Sequence, residues 1–363
     1  MLFRSIAPRL IISAPPKISF TNAALSPNGK YVVAVGGDSI RERAAGNGVM
    51  RVYNAHSGAL LFARVVSDYW LITGLAISSD SSEVATSSQG ETMVWDLAKG
   101  KLLRKLGFSA DAIAFSPDNR VLVAGDASTN GSMATLRNAQ NGAFIGYVDK
   151  GRPGLEPNEE NFMHVFPRCS PDGKSLACIT FGGKRHARDD FRPTKNTDGR
   201  VQIWNIATGK LRHIFPQKNT AALAFSPNGK NLAISSVPGK TRSHPQIRLY
   251  DFQIQQLVWI AQVSGETSKK AVALQIVDMT FSPDNKVLAC QDEWNRILLY
   301  NADSGQIIRT VLPPNFDSNS HSLNGTLITS KSPSLSFSQD GKTVLSGQGD
   351  TIYLWNTDDW NIQ

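Results

Sequence analysis

A five-residue turn phrase returns seven times along this chain and constrains its fold more than any other feature. Five copies read Ser-Pro-Asp/Asn-Gly/Asn-Lys/Arg, and they begin at Ser26, Ser116, Ser170, Ser226 and Ser282. Two further copies begin at Ser78 and Ser338 and keep the serine and the aspartate without the proline. Proline presets φ, Asp or Asn bonds to its own backbone, and Gly or Asn accepts a left-handed φ. Each copy is therefore predicted to be a hairpin turn.

The residues around each turn follow one repeating pattern. A short alternating run precedes the turn and a run rich in β-branched residues follows it, which indicates two antiparallel strands. A third strand commonly ends in an aromatic residue and then Asp or Asn, as in Trp95-Asp96, Trp204-Asn205 and Tyr300-Asn301. A glycine turn then leads into a fourth strand. Seven such units predict an all-β fold, a seven-bladed β-propeller with four-stranded antiparallel blades.

The repeat outweighs the two or three domains that a chain of 363 residues would otherwise suggest. We predict a single β-propeller domain over residues 1–363. Its blades are predicted at residues 19–66, 68–108, 109–150, 161–216, 217–263, 272–313 and 331–357. The last blade stops at its third strand. We therefore expect the segment 2–12, which Pro8 makes a poor helix, to supply the outer strand of blade 7 and close the ring.

These motifs resemble the WD-repeat family of seven-bladed β-propellers over nearly the whole chain. Trp95-Asp96 is the one literal copy of the dipeptide that ends the family's third strand, and blade 3 departs furthest with Leu136-Arg137. The family's Gly-His dipeptide before the inner strand is missing from every blade. The resemblance therefore implies the propeller fold without the family's His-to-Asp hydrogen bonds, so that stability rests more on apolar packing between sheets.

Composition sets broad limits on the class of protein. Hydrophobic residues make up 41% of the chain and charged residues 19%, which suits a packed core rather than disorder. The three cysteines form no CxxC pair, so we expect buried free thiols and a cytoplasmic or other reducing intracellular compartment. Arg9 and Pro8 interrupt the apolar N-terminal stretch, which argues against a secretion signal. The formal net charge of +8 favours acidic partners.

Long insertions depart from the minimal repeat at two kinds of connection. Those between second and third strands are residues 39–49, 181–199 and 236–246. Those between one blade's fourth strand and the next blade's first are residues 151–160, 264–271 and 314–330. In a propeller of this topology both kinds emerge on one face, and the opposite face keeps tight turns. The loop-rich face is therefore the predicted binding face.

The insertions of blades 1, 4 and 5 are rich in basic residues. Guanidinium groups match carboxylate and phosphate geometry, and Arg, Trp and Tyr are enriched in binding hot spots. The predicted partner-binding residues are Arg41, Arg43, Lys184, Arg185, Arg188, Arg192, Lys240, Arg242, Tyr69, Trp70 and Trp294. We expect this basic face to dock a protein partner with an acidic surface, which would make the chain a scaffold or adaptor in a multisubunit complex. The simpler interpretation is that the basic residues lie in solvated loops and the tryptophans belong to the core, with no role in binding.

No catalytic or metal-binding pattern is present, since the sequence holds no HExxH, no GxSxG and no cysteine–histidine metal spacing. We predict no catalytic residues, no cofactor and no metal. Gly182-Gly183-Lys184 lacks the remainder of a phosphate loop. Two alternatives stay open. One is a propeller that binds nucleic acid or an anionic surface through the same loops. The other is a propeller hydrolase or oxidoreductase with a site at the central channel, where His164 is predicted near Glu159 and Glu160.

Overall fold

The structure is a computed structural model of the chain. It describes residues 6–16, 18–38, 47–68, 72–88, 90–125, 134–148, 160–162, 167–183, 200–215, 220–236, 245–263, 275–314, 334–348 and 350–360. Within these residues the strands form seven antiparallel sheets, six of four strands and one of five. The fold class is the predicted seven-bladed β-propeller.

The first four sheets, with the N-terminal strand, take the following bounds. The N-terminal strand is β1 (Leu10–Ser13). Blade 1 consists of β2 (Ile18–Leu25), β3 (Tyr31–Asp38), β4 (Gly48–Asn54) and β5 (Leu60–Ser67). Blade 2 consists of β6 (Ile72–Ile77), β7 (Glu83–Ser88), β8 (Thr92–Asp96) and β9 (Leu102–Lys105). Blade 3 consists of β10 (Ala112–Phe115), β11 (Val121–Gly125), β12 (Ala134–Asn138) and β13 (Phe144–Val148). Blade 4 consists of β14 (Glu160–Phe162), β15 (Arg168–Cys169), β16 (Ser175–Gly183), β17 (Arg200–Asn205) and β18 (Leu211–Phe215).

The remaining sheets keep the same strand order. Blade 5 consists of β19 (Thr220–Phe225), β20 (Asn231–Ser236), β21 (Gln246–Asp251) and β22 (Gln256–Gln262). Blade 6 consists of β23 (Ile276–Phe281), β24 (Val287–Asp292), β25 (Ile297–Asn301) and β26 (Ile307–Val311). Blade 7 consists of β27 (Ser334–Phe337), β28 (Thr343–Gln348) and β29 (Thr351–Asn356), followed by a 3-10 turn over Thr357–Trp360.

The chain divides into two compact units, Met1–Ile72 with Ala222–Gln363 and Thr73–Ala221. In the first unit β1 pairs with β29, with Leu10 opposite Leu354 and Ile12 opposite Ile352. The N-terminal strand therefore completes the sheet of blade 7, as predicted, and its paired part is Leu10–Ser13. The organisation of residues 1–363 as one domain stays a prediction.

Apolar clusters join neighbouring sheets within each unit. In the first unit Trp355 is fully buried and packs with Leu299 of blade 6. In the second unit Trp204 packs with Val123 and Leu136 of blade 3. These tryptophans are structural, as the sequence indicated. Burying such large rings contributes strongly to stability because the hydrophobic gain scales with the apolar area removed from water.

The repeated turns share one hydrogen-bond arrangement. In blade 3 the Ser116 hydroxyl donates to Asp118 Oδ1 at 2.6 Å and accepts from the Val121 amide at 2.9 Å. The Asp118 carboxylate accepts from the Arg120 amide, and Asn119 takes a φ of 59°. Each hairpin therefore satisfies its backbone donors locally, which ends the first strand and starts the second.

Candidate functional site

The described structure covers one of the eleven predicted partner-binding residues. Trp294 lies between β24 and β25. The other ten lie outside the described residues, and they are Arg41, Arg43, Tyr69, Trp70, Lys184, Arg185, Arg188, Arg192, Lys240 and Arg242. Their grouping into a continuous basic patch stays a prediction.

The strands that carry these loops are described, and they fix where the loops leave. The β3–β4 ladder reaches Gly37 opposite Gly48, and the β20–β21 ladder reaches Ser236 opposite Gln246. Both hairpins therefore send their loop out at the end of the sheet that lies away from the Ser-Asp/Asn turn. Strand β16 continues to Gly183, so the first three residues of the predicted insertion 181–199 belong to the strand.

Trp294 is a buried side chain at this end of blade 6, with 7% of its surface exposed. The guanidinium carbon of Arg296 lies 5.1 Å from the centroid of its ring. Arg296 Nε donates to Asp292 Oδ2 at 2.6 Å, and Asp292 Oδ1 accepts from the amides of Trp294 and Arg296. The ring is thus held by a cation–π contact inside a hydrogen-bonded turn, which gives it a structural role in the unbound chain.

Asp292 and Arg296 form a buried ion pair within that turn. Asp292 is fully buried and Arg296 is 6% exposed. Burial raises the pKa of Asp292, and the charge and hydrogen bonds of Arg296 oppose this rise. The Asp292 carboxylate already accepts hydrogen bonds from three N–H donors and has little capacity left for a ligand. The ion pair therefore has a structural role within the turn.

The opposite end of each sheet carries the repeated turns, and three pairs of these turns are hydrogen-bonded to one another. In the first unit the Asn228 amide donates to Asn285 Oδ1 at 2.9 Å, and the Gln339 amide donates to the Pro27 carbonyl at 2.7 Å. In the second unit the Ser79 hydroxyl donates to the Pro117 carbonyl at 2.8 Å. These polar groups hold neighbouring blades together. Part of their hydrogen-bonding capacity is therefore already used within the chain and is not available to a partner.

The inner strands supply a carboxylate that also serves the fold. Asp278 of β23 is 7% exposed, and its Oδ2 accepts from the Leu335 amide of β27 at 3.0 Å. Its Oδ1 accepts from the Met279 amide at 2.9 Å. Because both oxygens already bond to backbone, Asp278 ties blade 6 to blade 7 and lacks the free geometry of a general base. His164 and Glu159 lie outside the described residues, as does the side chain of Glu160.

The thiols show no sign of nucleophilic chemistry. All three cysteines are unpaired, Cys178 and Cys290 are buried and Cys169 is partly so. Burial raises the pKa of Cys169 to about 12 and that of Cys178 still further. Such thiols stay protonated and unreactive at neutral pH. Among the described residues no group of three or more His, Cys, Asp or Glu side chains converges on a metal-sized position.

One family model and two curated proteins are similar to parts of this chain. Residues 319–356, which include blade 7, match the family described as WD domain, G-beta repeat. Apoptotic protease-activating factor 1 from Homo sapiens is 25% identical over 186 residues, which cover 49% of this chain and 13% of that protein. WD repeat-containing protein SL1-17 from Schistosoma mansoni is 27% identical over 195 residues, 52% of each chain. The chain therefore spans only part of the length of each relative.

Fold, repeated turns and comparisons together define the class: this chain is a WD-repeat-like seven-bladed β-propeller. Propellers of this class generally mediate protein interactions. In the part of the chain that the structure describes, no helix is long and apolar enough to cross a membrane.

Proposed function

We propose that this propeller is a non-enzymatic protein-interaction scaffold, a subunit or adaptor of a larger assembly. It binds an acidic surface of a protein partner through the basic loops at the ends of its blades. The compartment proposed for it is a reducing one, because its three thiols are unpaired.

The observation that carries this proposal is the concentration of basic residues in the insertions. The blade 5 loop brings Lys240 and Arg242 with no acid, and the blade 4 loop brings Lys184, Arg185, Arg188 and Arg192. A chain with a formal net charge of +8 attracts acidic surfaces at long range. The tight turns at the other end are short and hydrogen-bonded to their neighbours, which leaves the loops as the part able to vary with the partner.

The test replaces Arg185, Arg188, Arg192 and Arg242 with glutamate together and compares which proteins co-purify. The matched control replaces four exposed lysines of the tight turns, Lys30, Lys101, Lys210 and Lys230, with glutamate. Both variants change the net charge equally, so a partner lost only from the loop variant binds the basic loops. A folded loop variant that recovers every partner would refute the proposal.

Nucleic acid or an anionic membrane surface is the second candidate, and the charge of the same loops favours it. Salt separates the two candidates, because phosphate binding releases counterions and weakens steeply as salt rises. A protein interface with buried apolar contacts depends on salt much less. The measurement is recovery of partner protein and of bound nucleic acid at about 50 mM and about 200 mM salt, the range over which phosphate contacts are lost.

A further inference from the structure

The outer strand of blade 5, β22, is an edge that lacks the usual protection against pairing. It is the last strand in the order β19-β20-β21-β22, and no other described strand pairs with its outer edge. Natural edge strands are commonly kept short, charged or interrupted by proline, since an open row of N–H and C=O groups is a template for another strand. Strand β22 reads Gln-Leu-Val-Trp-Ile-Ala-Gln and contains no charge and no proline.

The outer strands of the other blades differ from β22 in length or charge. Charged side chains stand in four of them, at Arg64 of β5, Arg104 of β9, Arg212 of β18 and Arg309 of β26. Strands β1 and β13 are uncharged but shorter, with four and five residues against seven in β22, and Gly146 interrupts β13. Among the described outer strands β22 is thus the longest uncharged one.

Three apolar side chains of β22 face solvent. Leu257 is 47% exposed, Val258 50% and Ile260 47%. Trp259 turns the other way, where its Nε1 donates to the Ala302 carbonyl of blade 6 at 2.9 Å. The Trp259 ring therefore fixes β22 to blade 6, while Leu257, Val258 and Ile260 remain exposed. This contact makes β22 a rigid edge strand rather than a fraying one.

The sequence of β22 is nearly symmetric about Trp259. Reading outward in both directions, Val258 corresponds to Ile260, Leu257 to Ala261 and Gln256 to Gln262. In an antiparallel pair of identical strands centred on one residue, each residue meets the residue at the same distance on the other side of the centre. A second β22 would therefore set Val258 against Ile260, Leu257 against Ala261 and glutamine against glutamine. This symmetry identifies the chemistry that fits the edge as a second copy of the same strand.

On the Ile260 side of Trp259 the backbone has the phase that this pairing needs. The Val263 amide donates to the Pro245 carbonyl at 2.8 Å, which directs residue 263 toward β21. Alternation along the ladder then directs the N–H and C=O groups of Gln262 and Ile260 away from β21, as far as the bulge at Val258. Centred on Trp259, Ile260 of each copy would lie opposite Val258 of the other and turn its N–H and C=O groups toward the partner strand.

We infer that β22 is a homodimerisation strand, which pairs antiparallel with β22 of a second copy about a two-fold axis at Trp259. This inference is independent of the basic loops and survives if they bind nothing. A single strand pair is a small interface, so the dimer is measured at protein concentrations up to about 100 μM. The readout is molar mass by sedimentation or light scattering, against 39.5 kDa for one chain.

The first variant is Val258→Lys with Ile260→Lys. In the proposed register it sets lysines opposite lysines, and we expect the dimer to weaken at least about tenfold because like charges directly opposite destabilise a strand pair. The matched control is Leu60→Lys with Val65→Lys in β5, where exposure is similar at 53% and 54%. The control should keep the dimer and shows that added charge alone is not responsible.

The second variant is Val258→Glu with Ile260→Glu, and it should also be monomeric by itself. Mixed with the lysine variant it should restore mass near twice that of one chain, because each lysine then faces a glutamate. Unchanged folding of both variants is checked by circular dichroism. A wild-type chain that stays monomeric, a dimer that persists in the lysine variant, or a mixture that stays monomeric would each overturn the inference.

Discussion

Ile12 of β1 lies directly opposite Ile352 of β29, and both side chains are buried. They belong to one apolar cluster with Leu354 and with Val32 and Tyr53 of blade 1. Strand β1 therefore contributes to the stability of the fold in two ways: it pairs with β29 through backbone hydrogen bonds, and its apolar side chains pack between blade 7 and blade 1.

The first prediction compares two neighbours in β1. Ile12→Ala removes a side chain that is 5% exposed and should lower the free energy of unfolding by about 2–5 kcal/mol. Ile11→Ala, at a position 49% exposed, should change it by less than about 0.5 kcal/mol. Denaturant unfolding of both variants measures the difference. Removing residues 2–12 entirely should cost more than Ile12→Ala, and an unchanged melting temperature would contradict the closing role of this segment.

The second prediction concerns acid stability and the repeated turns. Hydrogen bonds from the serines at the start of their turns lower the pKa values of Asp80, Asp118 and Asp340. Their folded pKa values lie below the unfolded value of about 3.9, so near that pH the unfolded chain binds more protons. The stability that these carboxylates contribute is present above that pH and is lost as pH falls through the folded pKa values.

Asparagine at these three positions should flatten the acid-induced loss of stability, since asparagine does not titrate and already occupies the same place at Asn28 and Asn228. The matched control is Asp303→Asn, which changes an exposed aspartate outside the serine turns. Melting temperatures between about pH 5 and pH 2 measure the effect, the range over which paired carboxylates titrate. A triple variant with the same pH dependence as the wild type would be evidence against this account.

The third prediction separates backbone strain from steric overlap in one glycine. Gly305 has a φ of 70°, and a Cβ there would lie 2.6 Å from Cδ2 of Trp259. Gly107 has a similar φ of 66° with nothing within 4 Å of a built Cβ. Gly107→Ala should cost about 1–2 kcal/mol from the left-handed conformation alone. Gly305→Ala should cost about 1–3 kcal/mol more because the ring must move, and equal losses in the two variants would show that it need not.

The fourth prediction is that the purified chain turns over no substrate in a screen of ester, lactone, phosphate and redox substrates. The reason is chemical: Cys178 and Cys290 are buried, Cys169 is partly buried, and both carboxylate oxygens of Asp278 accept hydrogen bonds from backbone amides. The same screen is run on His164→Ala. Turnover by the wild type that this variant abolishes would establish a channel site and replace the scaffold proposal.

The sequence predicted the sheets well because the turn chemistry is local. Pro27, Asn28 and Gly29 specify a hairpin whatever surrounds them, so strand order followed directly from their spacing. The role of the serine in each turn was not foreseen, although its place at the start of all seven copies was the signal. Its hydroxyl links the Asp or Asn side chain to the second strand, as Ser116 does in blade 3.

The candidate site was harder to predict because exposure depends on tertiary packing. Trp294 stands in a short turn, where an aromatic residue suggests a surface anchor, yet Arg296 and Asp292 hold it inside. Nothing in the local sequence distinguishes these two outcomes. The symmetry of β22 about Trp259 is visible in the sequence, but its meaning depends on knowing that no other described strand pairs with the outer edge of β22.

The pairing of Leu10 with Leu354 also determines when β1 can join its sheet during synthesis of the chain. Strand β29 follows β1 by about 340 residues, which at about 5–20 residues per second of synthesis takes roughly 20–70 s. Throughout that interval Ile11 and Ile12 have no sheet to join. The nascent chain therefore carries an unpaired apolar strand until blade 7 is made, and this strand is a place where a chaperone would be needed.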